Sequence, residues 1–202
     1  MIANGLHTLG VGQLAAMVTY LRHELAAVSS RPPFPESFVL RRLAAGDLKD
    51  YRRLFRAIGG EWLWFSRLRL RDEELASVLG DPAVEAYAIA GPMGDAGLLE
   101  LDFRDLGASE LTFCGLMSTL VGAGLGRAMI AQALHMARDR GAASLHVHTC
   151  SLDHPRALAF YEKAGFRPYK RAVEIFDDPR LDGTLPREVA RQIPLIDEEG
   201  PG

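Results

Sequence analysis

The chain has 202 residues, 48% of them apolar and 24% charged, which is the balance of an ordinary globular protein and excludes a disordered or collagen-like one. A net charge of −3 argues against a nucleic-acid binder with a broad basic face, and no apolar run approaches the roughly 18 residues of a membrane span. Two cysteines are too few for a secreted disulfide framework, so a reducing cytoplasm is the expected compartment.

In chain order, the apolar run beginning at Leu14 reads as an amphipathic helix over residues 13–28. It is not expected to be a secretory leader, because no Lys or Arg precedes it and Arg22, His23 and Glu24 interrupt it. The Pro-rich stretch 31–36 is stiff and extended, and sets this helix apart as a unit, residues 1–36. A strand is predicted over 37–43, then a helix capped by Asp47 that ends at Gly59-Gly60. The aromatic cluster Trp62-Leu-Trp64-Phe65 follows; strand alternation would put both tryptophans on one face. They serve either as core anchors or as the wall of an acceptor pocket. Asp72 is expected to cap a second helix, stopped by Gly80 and Pro82.

Three strands are predicted next, at 84–90, 97–103 and 109–117, with connections so short that neighbours must be antiparallel. A helix to about residue 140, a strand at 144–150, a helix at 155–164 and a strand at 169–176 complete the body. The fold class is therefore α/β with a mixed sheet, a main domain over 37–178 and an irregular C-terminal tail over 179–202. The N-terminal helix and its Pro-rich hinge offer a surface for a second copy of the chain, as in a homodimer.

Two stretches carry chemistry. Gly122-Ala123-Gly124-Leu125-Gly126-Arg127 lies between an apolar strand and an apolar helix. Without Cβ atoms, closely spaced glycines let several main-chain N–H groups converge at the positive end of a helix, which suits a phosphate or pyrophosphate. A tight turn made for close packing is the alternative. It is not a Walker loop, which needs Gly-Lys-Ser/Thr where Gly126-Arg127-Ala128 stands, and neither dinucleotide register has its third glycine. The second stretch runs from Asp153 to Phe166. There Ala157, Phe160, Tyr161 and Ala164 share one helix face, and Gly165 turns the chain out of the helix.

Together these motifs resemble the GNAT superfamily of N-acetyltransferases: Val121-Gly-Ala-Gly124-Leu-Gly126 is similar to its acetyl-CoA loop, and His154 to Phe166 to its second motif. Val121 replaces the usual Gln or Arg, and His154 the usual Asn. The resemblance covers residues 38–176 and implies antiparallel N-terminal strands followed by a parallel pair that splays apart where a thioester enters. It implies that main-chain groups at Cys114, Gly115, Leu116 and Met117 line the pantetheine arm, with the amide near Leu116 polarising the thioester carbonyl. The amides of Gly122, Ala123, Gly124, Leu125, Gly126 and Arg127 would hold the pyrophosphate, the Arg127 side chain would reach a phosphate oxygen, and His154 and Ala157 would meet the pantetheine. The implied reaction moves an acetyl group from acetyl-CoA to an amine of a small molecule or a protein.

Acetyl transfer needs a neutral amine, a stabilised oxyanion and a protonated leaving thiolate. Glu110 stands where histone-type members of the family carry a catalytic glutamate, and Glu110-Leu-Thr-Phe-Cys-Gly-Leu116 is similar to that stretch. It is the expected base, through water, with Glu100 on the neighbouring strand in reserve. Tyr161, at the family's Tyr position, is the expected acid. The alternatives are a solvated strand end for Glu110 and a core tyrosine for Tyr161. His148 serves as a proton shuttle beside Glu110, as a substrate hydrogen bond, or as ordinary strand packing. No metal is expected, because His146, His148 and Cys150 lack a second ligand pair at zinc-like spacing. A non-catalytic acetyl-CoA-binding module of the same fold is the competing functional reading.

Overall fold

A computed structural model describes residues 3–28, 33–122 and 124–197. The strands are β1 (Gln13–Glu24), β2 (Val39–Leu43), β3 (Val84–Gly91), β4 (Gly94–Asp102), β5 (Glu110–Leu116), β6 (Ser144–Cys150) and β7 (Arg167–Asp177). The helices are α1 (Leu48–Gly59), α2 (Asp72–Gly80), α3 (Leu125–Asp139) and α4 (Ala157–Lys163). All seven strands form one mixed sheet in the order β2-β3-β4-β5-β6-β1-β7.

The short connections act as expected: β2 to β5 form an antiparallel meander. Side chains on β4 alternate between two cores. Leu98 joins Tyr51, Leu54, Phe55 and Leu75 under α1 and α2, while Leu99 and Leu101 join Met129, Ile130 and Ala133 under α3. Strands covered on both faces read as continuous apolar runs, which is the texture of Leu98-Leu99 and Ala88-Ile89. Asp47 caps α1 in position only, since its carboxylate accepts the Ala44 N–H (2.8 Å) of the preceding turn. Helix α2 is capped by Arg71 rather than Asp72, and Glu74 accepts the Arg71 N–H at 2.8 Å. Among the described residues no helix is long and apolar enough to cross a membrane.

The main correction concerns the N-terminus. Residues 13–24 are a strand and not a helix, and β1 lies between β6 and β7, antiparallel to both. The β6-α4-β7 crossover leaves a gap one strand wide, and β1 fills it. Residues 18–22 then have ladder partners on both sides and the rest of the strand on one, a gain that outweighs the modest helix preference of Leu-Ala-Ala-Met. Ala16, Val18 and Leu21 are buried, while Ala15, Met17 and Arg22 stay exposed. Residues 13–24 are thus not set apart from the sheet but supply one of its interior strands. The argument for a second copy packing on an N-terminal helix lapses with that helix. Leu21 is fully buried between β6 and β7. Leu21→Ala is expected to cost about 2–4 kcal/mol in urea unfolding, far more than truncating a residue on a detachable helix.

Residues 179–197 form no helix or strand but pack tightly. Leu185 and Ala190 join Leu63 in a third apolar cluster that also takes in Leu14, Leu68 and Leu152. Gln192 donates to the Glu61 carbonyl (2.9 Å), and Arg69 pairs with Asp182 at 2.8 Å. This segment thereby holds the loop that carries Trp62, Trp64 and Arg67.

Candidate active site

Strands β5 and β6 run parallel and pair only at Glu110 opposite His146, through the His146 N–H donating to the Ser109 carbonyl at 2.8 Å. Beyond that point each strand follows its other neighbour: β5 stays on β4 as far as Leu116, and β6 stays on β1 as far as Cys150. Their facing edges separate, leaving main-chain groups without strand partners among the described residues. The Met117 N–H donates to the Ala96 carbonyl on the β4 side (2.9 Å), so alternation aims the Leu116 N–H into the gap. Gly115 sits where α1 crosses, and a Cβ there would run into Ile58 and lie 3.1 Å from Trp64.

The glycine turn closes the far end of this gap. Gly122 (φ 96°) and Gly124 (φ 84°) take left-handed conformations, and nothing lies within 4 Å of where their Cβ atoms would be. Among the described residues the N–H groups of Gly122, Gly124, Leu125 and Gly126 have no main-chain partner. They point from the first turn of a fifteen-residue helix whose dipole favours an anion there. The Arg127 amide drops out of the expected donor set, because it donates to the Gly124 carbonyl at 3.1 Å in a tightened first turn. Its guanidinium is exposed and has no ion pair among the described residues, so the side chain remains available to a phosphate. Ala123 lies outside the described residues. Free donors, an open cradle and a nearby cation are the donor set a diphosphate requires, and the splayed strands suit the arm attached to it.

On the open side of the sheet Glu110 meets His148, with Oε1 and Nδ1 2.7 Å apart. Both are partly exposed, and the carboxylate holds the imidazole above the usual histidine range. Tyr161 is buried between Phe160 and Phe166, whose rings lie 5.5 and 5.8 Å away. Burial, then the neighbouring Cys114 and Asp153, push its hydroxyl well above the usual phenol range, so it keeps its proton and has one to donate. Cys114 and Cys150 flank the gap; burial pushes the first thiol up to about 12, and burial with Asp153 pushes the second to about 11. Neither forms the thiolate that nucleophilic catalysis needs.

Two expectations need correction. Glu100 is fully buried; its carboxylate accepts from Tyr51 and, at 2.6 Å, from Arg67. It is locked inside the α1 core and has no route to a substrate proton. Trp62 and Trp64 do not share a face, because a 3₁₀ turn at Gly60–Trp62 and a left-handed Leu63 (φ 55°) break the alternation. Trp62 packs on His154 at 5.2 Å, whereas Trp64 packs on Phe55 and Phe113 at 5.5 and 5.3 Å. The His154 imidazole Nδ1 accepts the Arg156 N–H (3.1 Å) in the turn before α4, so only Nε2, which then carries the ring proton, is left for a pantetheine amide. Ala157 opens α4 and packs against the α3 core.

Asp153, which opens the second motif, is a hub. It accepts from Thr149 Oγ1 (2.7 Å), the Cys150 N–H (2.8 Å) and Trp64 Nε1 (3.1 Å), tying the end of β6 to the tryptophan loop. An Asp directly after a strand and before His-Pro was the available signal, since Asp commonly closes such turns on its own backbone. Among the described residues no group of three His, Cys, Asp or Glu side chains is placed to hold a metal ion.

The model of the acetyltransferase (GNAT) family matches residues 49–166, more than half of the chain. Among solved structures, a GCN5-related N-acetyltransferase from Sphaerobacter thermophilus aligns with a TM-score of 0.63 at 14% identity, over 81% of this chain and 52% of that one. A conserved protein of unknown function from Staphylococcus epidermidis ATCC 12228 aligns with a TM-score of 0.60 at 13% identity, over 83% and 63% of the two chains. The present chain thus spans between half and two thirds of the length of those proteins. An aminoglycoside acetyltransferase from an uncultured soil metagenomic sample, solved with trehalose, aligns at 0.53 and 16% identity, over 65% of this chain and 90% of its own. At these identities the likeness speaks for the fold alone. No curated protein matches the chain.

Proposed function

The chain belongs to the GNAT family of acetyltransferases, and from that premise we propose that it transfers an acetyl group from acetyl-CoA to a primary amine of a small molecule or a protein. Transfer is by direct attack within a ternary complex, with Glu110 as general base through water and Tyr161 as general acid. The observation that carries this reading is the gap between β5 and β6, which opens beyond Glu110 toward glycine-turn N–H groups that have no main-chain partner among the described residues.

Acetyl-CoA supplies an activated acyl thioester. Gly122, Gly124, Leu125 and Gly126 bind through their N–H groups, with the Arg127 guanidinium beside them. The Leu116 N–H orients the acyl carbonyl and stabilises the charge that develops on its oxygen. Tyr161 holds a proton on its hydroxyl beside Cys114 for the departing sulfur. An amine with a pKa near 10.4 arrives mostly as ammonium at pH 7, so a base on the open face must first take a proton from it.

CoA is expected to raise the melting temperature of the wild type, and Gly124→Val, which disfavours the left-handed backbone and fills the cradle, to abolish that rise. With acetyl-CoA and a panel of amines that includes aminoglycosides, thiol release should fall about a hundredfold in Glu110→Gln and in Tyr161→Phe. Stabilisation by CoA without turnover on any acceptor would instead assign a non-catalytic acetyl-CoA-binding module, the reading favoured by the residues at Val121 and His154. If CoA produces no stabilisation, the proposal fails.

A further inference from the structure

We propose that His148 is the residue that takes the acceptor's proton, at Nε2, and that Glu110 positions it. This deepens the acetyltransferase reading and rests on it, replacing a water between Glu110 and the amine by a side chain.

The juxtaposition is specific. Glu110 is the first residue of β5 and His148 lies two residues beyond His146, the one position where β6 touches β5. Side chains two apart on a strand share a face, so the imidazole stands over the carboxylate at the point where the gap begins to open. An ionised carboxylate can only accept, and Nδ1 therefore donates to Glu110 Oε1 across 2.7 Å. The neutral ring must then carry its proton on Nδ1, which leaves the Nε2 lone pair bare. Nε2 has no hydrogen-bond partner among the described residues, and the side chain is 43% exposed.

The groups around the ring favour its charged form. Besides Glu110 on β5, Asp153 after β6 and Glu174 on β7 act on it as anions. Tyr20 on β1 packs its ring 5.7 Å from the imidazole, and the Lys170 ammonium of β7 lies over the Tyr20 ring at 4.7 Å. His146, on the same strand face, is turned to Tyr169, its Nδ1 lying 3.1 Å from the Tyr169 hydroxyl.

The proton balance is simple. The ammonium N–H bond of the acceptor breaks, an Nε2–H bond forms, and the freed lone pair attacks the acyl carbon as the carbonyl pair moves to oxygen. When that pair returns the C–S bond breaks, the sulfur takes the Tyr161 proton, and the second N–H proton of the new amide returns to Tyr161 through water. The imidazolium keeps its Nδ1–H bond to Glu110 and afterwards releases the Nε2 proton to solvent. A base near neutrality does this better than a carboxylate with an ordinary value near 4.3, because it is matched to the working pH.

The test uses the intact protein and reads two quantities. In nitrogen-15 NMR the neutral His148 should be the Nδ1–H tautomer, with a titration midpoint above about 6.5, and Glu110→Gln should lower that midpoint. In thiol release at saturating acetyl-CoA, the acidic limb of the rate profile should follow the same midpoint and move to lower pH in Glu110→Gln. His148→Gln should lose the limb and about a hundredfold in kcat, while CoA still stabilises it. An Nε2–H tautomer, an unmoved midpoint, or a His148→Gln variant with wild-type rate would each overturn the proposal. The tautomer and midpoint judge the pair even without turnover, so failure here is distinguishable from failure of the acetyltransferase reading.

Discussion

Replacing Arg180 with methionine is expected to cost about 3–5 kcal/mol, the usual penalty for leaving one half of a buried ion pair behind. Asp178 and Arg180 are each 2% exposed along their side chains. Two guanidinium nitrogens bond the carboxylate, Nε at 2.9 Å and the terminal nitrogen at 2.6 Å. The other terminal nitrogen donates to the carbonyls of Val189, Ala190 and Ile193 at 3.3, 3.3 and 3.0 Å. Arg180 thus neutralises a buried anion and gathers a segment that has no ladder of its own. Asp178→Leu combined with Arg180→Met should recover most of the charge penalty but not the lost carbonyl contacts. The check is a urea midpoint for each variant. A loss below about 1 kcal/mol in Arg180→Met would mean that residues 178–193 do not pack against the Leu63 cluster.

The second large effect separates two glutamates that the sequence alone left as candidates for one role. Glu100→Gln is expected to cost about 3 kcal/mol, because the Arg67 side chain, 16% exposed, would keep its charge without a counter-ion. Arg67 also lies over the Phe113 ring at 5.2 Å, so it cannot swing to water without unpacking the α1 core. Glu110 is about one-third exposed, and Glu110→Gln should change stability by no more than about 1 kcal/mol. Its loss should appear in turnover instead. Chemical denaturation and thiol release on both variants check the contrast, and a stable but inactive Glu100→Gln would reverse the assignment.

The geometry of the glycine turn was legible because its signals are local. Glycines at 122, 124 and 126 before an apolar helix are a statement about main-chain conformation, and the turn adopts the left-handed backbone they permit. Glu110 and Tyr161 were identified by position within short motifs, and the fold brings one to the mouth of the gap and the other beside Cys114. What misled was periodicity read without neighbours. Trp62 and Trp64 look like strand residues until Leu63 takes a left-handed conformation. The sequence around Asp153 gave no sign of its bond to Trp64, which lies 89 residues away.

Read by itself, the chain determined its class, the antiparallel meander and the anion-suited turn, since short connections, alternating burial and glycine conformation depend on residues close in sequence. Contacts distant in sequence settled the rest. Residues 13–24 became a strand only because a gap one strand wide lay open between β6 and β7. Glu100 became structural because Arg67 and Tyr51 reached it, and residues 179–197 became ordered because Arg180 was buried with Asp178. Each of these outcomes comes from satisfying buried polar groups across the molecule, and no local window records where those partners will stand.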